Sequence, residues 1–288
     1  MIEYISHFSA AKIWNIPCIE AVLGNTFTGT DMTHVTVSKH NMYSSNNRNK
    51  IHSCTLTLPD GAVVTQNGRA IASPELLFLE LSNELSIHRL ILLGLQLCSH
   101  PHGRPAEAIT TKQKLNGFLL EACGHRGRRK AMRAVKYVEN GSSSIMESLA
   151  YMILTLPHAL GGYGLNGAVF NYKVDLKSGT GKHLQQNRCF IDLYYKEAKL
   201  AVEYDSFAFH SSPLEQGRDA MRSAILEKHG IGVMHMNTIQ LYNRDACRDF
   251  ADNLAARLGK RMQIRSSKFD EMHMLIRGLL PSLTPPNP

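Results

Sequence analysis

Three consecutive strand-like segments in the second half of the chain constrain the fold most. Apolar residues alternate or run together over Val169–Leu176, Cys189–Tyr195 and Lys199–Tyr204, as they do in a half-buried or buried sheet. A helix over Leu214–His229, closed by a glycine, and a short strand over Ile231–Met236 follow them. The pattern predicts two further helices, Ser144–Thr155 and Arg244–Lys260. This alternation of helices and strands indicates an α/β fold for the second half.

A polar break rich in glycine and serine, residues 139–144, divides the chain. The pattern of the first half predicts a smaller α+β domain. One helix is expected to begin at Ser9 as its N-cap, and another at Ser73. Strands are expected over His34–Val37 and Cys54–Leu58. We therefore expect domains over residues 1–139 and 140–265, followed by a C-terminal tail over residues 266–288.

Composition narrows the class of protein and its partners. No apolar run in the 288 residues reaches the ~18–20 residues of a membrane-spanning helix, and the N-terminus lacks the pattern of a secretory signal. The six cysteines are scattered, which argues against a structural zinc site or a disulfide framework and favours a reducing cytoplasm. The formal net charge of +8 makes nucleic acid the first expected partner. We therefore expect a soluble, cytoplasmic protein without a membrane partner.

Carboxylates interrupt the strands of the second half near their ends. Asp192 lies within an apolar strand, and Glu203 and Asp205 share a face of the next strand because side chains two positions apart point the same way. If these strands pair as a hairpin, Asp192 can lie opposite the other two. Three clustered carboxylates repel one another unless a cation compensates. Oxygen ligands suit Mg²⁺ or Mn²⁺, and such an ion can activate water for phosphodiester hydrolysis.

Two further residues extend this candidate site. His210 could act as a general base, orient the water or donate to a phosphate, and Glu147 on the preceding helix could add a ligand or a supporting carboxylate. Taken singly, a strand-edge carboxylate is more often solvated, and one of 14 histidines is more often structural. The combination of Asp192, Glu203, Asp205 and His210 favours a catalytic site.

Basic residues form two groups. The first lies in a helical segment between the halves: Arg126, Arg128, Arg129, Lys130 and Arg133. These side chains could contact phosphates or form a solvated helix face. Arg218 and Arg222 lie about one turn apart on the helix over Leu214–His229 and so share a face. They could hold a phosphate or pair with the carboxylates.

The run Phe190–His210, together with 218–222 (Arg-Asp-Ala-Met-Arg) and 230–233 (Gly-Ile-Gly-Val), resembles the very-short-patch-repair-like branch of the PD-(D/E)XK nuclease superfamily. The resemblance extends over residues 142–261. It implies a restriction-endonuclease-like mixed sheet flanked by helices, and Mg²⁺- or Mn²⁺-dependent hydrolysis of DNA phosphodiester bonds.

The resemblance also implies roles for individual residues. Asp192 matches the first metal ligand and Glu203 the second acidic position, so these two are the expected metal ligands. Asp205 falls where the motif lysine usually lies, and Glu147 matches the acidic residue of the leading helix. His210 is then expected to assist proton transfer, and Ser206 replaces the glycine of the motif.

The first half is similar to the AbiEi-type antitoxin and regulator family, from His7–Trp14 through His34–Val37 to Ser73. The leading hypothesis is a metal-dependent DNA endonuclease. The alternative is a catalytically inactive DNA- or protein-binding antitoxin or transcriptional regulator, which the missing motif lysine and Ser206 favour. A protein partner or a homodimer is compatible with either. An RNA-processing hydrolase ranks last because no aromatic stacking motif supports it.

Overall fold

The structure, a computed structural model, describes residues 3–24, 32–38, 45, 48–175, 188–205 and 213–282, without the side chains of residues 213–216 and 218–220. The chain divides into two units. One is formed by Met1–Ser99 and Glu107–Asn140, the other by His100–Ala106 and Gly141–Pro288. The main boundary therefore falls within the polar break at residues 139–144, and the short segment 100–106 groups with the second unit.

The first unit contains a mixed sheet. Its described strands are β1 (Glu3–Ile5), β2 (Thr33–Val37), β3 (Asn49–Ser53), β4 (Val63–Gln66) and β5 (Arg69–Ala72), in the order β3-β2-β1-β5-β4. β1 is antiparallel to β2 and parallel to β5, β2 and β3 are parallel, and β4 and β5 form a hairpin. The hairpin turns at Asn67 and Gly68, whose φ values of 52° and 74° suit the two-residue turn that favours an Asn-Gly pair.

Helices of the first unit pack on this sheet and on one another. The described helices are α1 (His7–Ile13), α2 (Ile19–Leu23), α3 (Pro74–Leu81), α4 (Ile87–Leu97), α5 (Lys112–Glu121) and α6 (Arg128–Val135). The predicted start of α3 is confirmed, because the Ser73 hydroxyl accepts a hydrogen bond from the Leu76 N–H at 3.2 Å. Buried leucines of α3 and α4 form much of the core of this unit.

Two predictions for the first unit are wrong. Helix α1 begins before Ser9, which lies inside the helix and accepts a hydrogen bond from the His34 backbone N–H at 2.8 Å. The strand expected over Cys54–Leu58 is replaced by β3, the segment just before it. β3 pairs residue by residue with β2, and β2 ends at Val37, so the ladder ends before the predicted segment begins.

All four strands predicted for the second unit are present: β6 (Ala168–Asp175), β7 (Arg188–Tyr195), β8 (Leu200–Asp205) and β9 (Gly232–Asn237). They lie in the order β6-β7-β8-β9. The first three form antiparallel pairs, and β8 pairs in parallel with β9. The sheet is flanked by helix α7 (Ile145–Thr155), which packs on β7 and β8, and by helix α8 (Pro213–Lys228), which packs on β9. The prediction of a mixed sheet flanked by helices is confirmed at this level.

Further helices complete the second unit: α9 (Thr238–Tyr242), α10 (Arg244–Arg257) and α11 (Phe269–Arg277). α10 ends before the predicted Lys260, ahead of Gly259 with its φ of 64°. Residues 266–288, expected as a tail, contain α11. This helix packs on α7 and buries Phe269, His273 and Ile276, so that part of the segment is an element of the fold.

Two features of composition agree with the structure. No helix within the described ranges combines the length and the apolar character that crossing a membrane requires. The six cysteines are free in this structure.

Candidate metal site in the second unit

Asp192 lies where the pairing of β7 with β6 is interrupted. The described register of these strands continues on both sides of Asn171 and Asp192 but skips this pair. Asn171 has a φ of 47°, in the left-handed region that asparagine tolerates better than most residues. Towards β8, the Asp192 carboxylate accepts a hydrogen bond from the Tyr204 backbone N–H at 2.9 Å. A carboxylate is thereby fixed within the sheet.

Glu147 is held at the first turn of α7 by two serines. The Ser144 hydroxyl caps the helix by accepting a hydrogen bond from the Glu147 N–H at 3.1 Å. The Glu147 carboxylate accepts hydrogen bonds from the hydroxyls of Ser143 and Ser144, at 2.7 and 2.9 Å, and from the Ser143 N–H at 3.0 Å. Burial, and then the nearby Asp192 carboxylate, raise the pKa of Glu147. The predicted helix start is confirmed, and it fixes the position of this carboxylate.

His102 joins these two carboxylates. One potential ligand atom from each of His102, Glu147 and Asp192 lies within 4.8 Å of the other two. Glu147 is buried, Asp192 is partly buried and His102 is exposed, so the group reaches solvent on the histidine side. Sequence reasoning did not select His102. The available signal was the tract 100–103, His-Pro-His-Gly, which places two histidines in a loop.

Glu203 lies beside this group, but its ion pair is with Arg222. Its Oε2 is 2.9 Å from Arg222 Nη2, and its Oε1 is buried without a hydrogen-bond partner among the described atoms. Burial, and then repulsion from Asp192, raise the pKa of Glu203 to about 8. Burial also raises the pKa of Asp192, whereas the hydrogen bond from the Tyr204 N–H acts to lower it. Of the two expected metal ligands, Asp192 belongs to the three-residue group, whereas Glu203 offers an adjacent unpaired oxygen.

Arg222 is committed to contacts inside the unit. Besides Glu203, it donates to the Phe190 carbonyl and, through Nε at 3.1 Å, to Cys189 Sγ. Of the two roles considered for Arg222, the structure shows the pairing with a carboxylate and not a contact available to a phosphate. Arg218 lies in the same helix, α8, but its side chain lies outside the described residues.

Asp205 takes part in a separate hydrogen-bonded chain. Its Oδ2 lies 3.1 Å from His235 Nδ1, and His235 Nε2 lies 3.1 Å from Ser223 Oγ. Parallel pairing of β8 with β9 sets Glu203 opposite His235, which explains how the histidine reaches this edge of the site. His235 was missed because its strand reads as apolar. The predicted His210 lies outside the described residues.

The basic segment lies in the first unit, on and before α6. Arg128 donates hydrogen bonds to carbonyls in the last turn of α5, and Lys130 donates to a carbonyl in the loop between α3 and α4. These two contacts stabilise the packing of the helices. Arg126, Arg129 and Arg133 are exposed and have no ion pair in the described part of the chain. They are the members of this segment that could contact phosphate.

The arrangement in the second unit can bind a divalent cation. Two carboxylates and an imidazole converge, and a third carboxylate offers an unpaired oxygen nearby. Burial, and after it repulsion from neighbouring carboxylates, raises the pKa values of these carboxyl groups, and a cation there would favour their charged forms. In comparisons with known proteins, no family model, no curated protein and no solved structure matches this chain.

Proposed function

We propose that the second unit is a divalent-metal-dependent nuclease that hydrolyses DNA phosphodiester bonds. The observation that carries the proposal is the convergence of Glu147 from α7, Asp192 from β7 and His102 from a loop, with one potential ligand atom of each within 4.8 Å of the others. We further propose that the sheet of this unit is restriction-endonuclease-like, that the partner is DNA and that the ion is Mg²⁺ or Mn²⁺.

The residues present fit such an ion. Carboxylate oxygens are the ligands that Mg²⁺ and Mn²⁺ prefer, and here hydrogen bonds from Ser143, Ser144 and the Tyr204 N–H hold them. The buried Oε1 of Glu203, which lacks a partner among the described atoms, is a further oxygen available to a cation. When bound, the ion would supply Lewis acidity at a phosphoryl oxygen and lower the pKa of a bound water.

The remaining side chains have separate tasks in this proposal. Arg222 keeps the second oxygen of Glu203 in place and balances part of the negative charge. His235, whose Nδ1 faces the carboxylate of Asp205, is an imidazole at the same edge of the sheet as Glu203. We assign proton transfer to His235 together with Ser223, because an imidazole held by a carboxylate can accept a proton at its other nitrogen, which here contacts Ser223 Oγ at 3.1 Å.

DNA contact is assigned to the exposed arginines of the first unit. Arg126, Arg129 and Arg133 project into solvent, and cationic side chains release counterions from a phosphate backbone. The net charge of +8 supports an acidic partner. This part of the proposal predicts that affinity for DNA decreases steeply with salt.

One observation favours the alternative, a catalytically inactive DNA- or protein-binding regulator. Arg222 already gives Glu203 a cation, and a buried carboxylate paired in this way has one fewer oxygen for a metal ion. In that case Glu147 and Asp192 would bind a metal weakly or not at all. DNA binding would then continue without metal-dependent turnover.

The test is cleavage of supercoiled plasmid and of labelled DNA oligonucleotides in Mn²⁺ or Mg²⁺, with EDTA as the metal-free condition. We expect nicking that needs the metal and is lost in Asp192→Asn. Asp175→Asn is the matched control, because Asp175 is an exposed carboxylate of the same sheet, paired with Lys173 at 2.8 Å. Nicking that persists in Asp192→Asn would refute the proposal. DNA binding without cleavage in any metal would support the inactive regulator.

A further inference from the structure

We infer that His102 is a ligand of the metal ion, held in its ligating tautomer by Asn171, and that it makes the site prefer Mn²⁺, Fe²⁺ or Zn²⁺ over Mg²⁺. This inference rests on the proposed function only in so far as Glu147 and Asp192 hold a cation. It adds a nitrogen ligand from a segment, residues 100–106, that sequence reasoning assigned to the other domain.

The hydrogen bonds around Asn171 fix the tautomer of His102. The Asn171 amide nitrogen donates to the Gly141 carbonyl, so its Oδ1, which can only accept, faces His102 Nδ1. In a neutral imidazole this contact places the proton on Nδ1 and leaves the lone pair on Nε2. Histidines that bind metal ions usually donate their other ring N–H to a carbonyl or a carboxylate in this way.

The other ring nitrogen of His102 lies on the side of Ser143 and, through that hydroxyl, of Glu147. His102 Nε2 lies 3.2 Å from Ser143 Oγ, and that hydroxyl donates to Glu147 Oε1 at 2.7 Å. Since the Ser143 proton is directed to Glu147, the lone pair of Nε2 faces the oxygen of a hydroxyl without receiving its proton. A cation among the Glu147, Asp192 and His102 ligand atoms would replace this contact with a favourable one.

Backbone geometry on both sides holds His102 in this position. Asn171 has a φ of 47° in the middle of β6. At this point the register of β6 with β7 skips Asn171 and Asp192, which lie opposite each other. Such an irregularity in a strand is typical of a place where a side chain is redirected for function.

The loop that carries His102 also lies close against β7. Gly103 has a φ of 71°, and a Cβ at this position would lie 2.8 Å from the ring of Phe190, so only glycine fits without movement. The His102 ring stacks on the same Phe190, with ring centroids 5.9 Å apart. Phe190 lies two positions before Asp192 in the strand and hence on the same face. His102 is therefore brought to the face that carries the carboxylate.

A nitrogen ligand changes which ions the site prefers. Mg²⁺ prefers oxygen ligands in octahedral geometry and gives up water reluctantly. Imidazole suits Zn²⁺ and Fe²⁺, and affinity for nitrogen- and oxygen-containing sites rises along the first-row divalent ions. One imidazole with two carboxylates thus favours a transition metal over Mg²⁺.

The experiment measures metal binding to the full chain, without any nucleic acid. Dissociation constants for Mn²⁺ and Mg²⁺ are obtained by calorimetry, and pulsed EPR of the Mn²⁺-loaded protein detects nitrogen coordinated to the ion. His102→Gln removes the ligand, and Asn171→Gly removes its partner while a glycine keeps the positive φ. His229→Gln is the matched control, since His229 belongs to the same unit, directly follows α8 and contacts the Ile225 carbonyl of that helix.

We expect the wild-type protein to bind Mn²⁺ more tightly than Mg²⁺ and to show nitrogen coupling. His102→Gln should lose the coupling and most of the preference for Mn²⁺, with little change in Mg²⁺ affinity. Asn171→Gly should weaken Mn²⁺ binding by about 10–100-fold, the usual effect of removing a group that orients a ligand. The control should behave as the wild type does.

The outcomes separate this inference from the proposed function. Metal binding that Asp192→Asn abolishes, but that shows no nitrogen coupling and no change in His102→Gln, would overturn the inference and leave the proposed function in place. Nitrogen coupling without DNA cleavage would support the inference and refute the nuclease. Absence of any Mn²⁺ binding by the wild-type protein would overturn both.

Discussion

Glu80 of the first unit makes a quantitative prediction about stability and pH. This carboxyl group is buried on α3, where its oxygens accept hydrogen bonds from the Tyr4 hydroxyl and the His7 backbone N–H, each at 3.0 Å. Burial is the largest influence, and it raises the pKa of Glu80 from the ordinary value of 4.5 to about 7, against the effect of these hydrogen bonds. The folded unit therefore keeps a proton that the unfolded chain loses.

Proton linkage gives the sign and the size of the contribution of Glu80 to the free energy of unfolding. Between pH 4.5 and about 7 the folded state binds more protons at Glu80 than the unfolded state does, so this residue lowers the free energy of unfolding as the pH rises. The contribution is fully present below pH 4.5 and is lost above pH 7. The difference between the two pKa values corresponds to about 3 kcal/mol.

The perturbation is Glu80→Gln, which is neutral at every pH. Urea unfolding at pH 5 and pH 8 is followed by the fluorescence of Trp14, the one tryptophan of the chain, whose indole donates to the Ala72 carbonyl in the first unit. We expect the stability of Glu80→Gln relative to the wild type to increase by about 2.5 kcal/mol between these two pH values, since part of the difference is already lost at pH 5. Glu84→Gln, an exposed glutamate nearby, is the matched control.

Three buried or partly buried histidines of this unit act in the opposite direction. Burial lowers the pKa of His7 to about 2 and those of His34 and His52 to about 4, so the folded state loses stability as the pH falls below 6.5. The wild type and Glu80→Gln share this pH dependence, so it cancels when their free energies of unfolding are compared. Equal pH dependence of the wild type and Glu80→Gln would refute the argument from burial.

Three other changes test particular contacts. Arg222→Met leaves the buried Glu203 without its cation, so the free energy of unfolding at pH 8 should fall by about 3 kcal/mol. Glu203→Gln added to the same chain should recover most of the loss, and an unchanged urea midpoint in the single variant would contradict the ion pair. Ser144→Ala removes the cap of α7 and should cost about 1 kcal/mol in urea unfolding, whereas no loss would show the cap to be unimportant. Gly68→Ala places a side chain at a φ of 74° and should lower the stability reported by Trp14 by about 1 kcal/mol; a neutral effect would contradict the turn assignment.

Local patterns were sufficient to predict the sheet of the second unit. Alternating and continuous apolar residues gave all four strands, β6 to β9, and a serine before an apolar run gave the start of α7. These signals depend on neighbours along the chain, so sequence alone contains them. The same reasoning failed at Cys54–Leu58, where the alternation is present but the neighbouring strand β2 has already ended.

The candidate site was predicted only in part, because its members meet through tertiary contacts. Glu147 and Asp192 were selected from the sequence, and the structure brings them together. His102 comes from a loop that the sequence placed in the other half. A hydrogen bond between its ring and the Asn171 side chain holds it at the site. Asp205 was expected to support the metal but faces His235, which depends on the parallel pairing of β8 with β9.

Calorimetric titration with Mn²⁺ measures directly whether Glu147 and Asp192 hold a divalent cation. Wild type, Asp192→Asn and Asp175→Asn are titrated side by side, with circular dichroism to establish that all three are folded. We expect one Mn²⁺ per chain for the wild type and for Asp175→Asn, and none for Asp192→Asn. Equal Mn²⁺ binding by all three proteins, or none by the wild type, would contradict it.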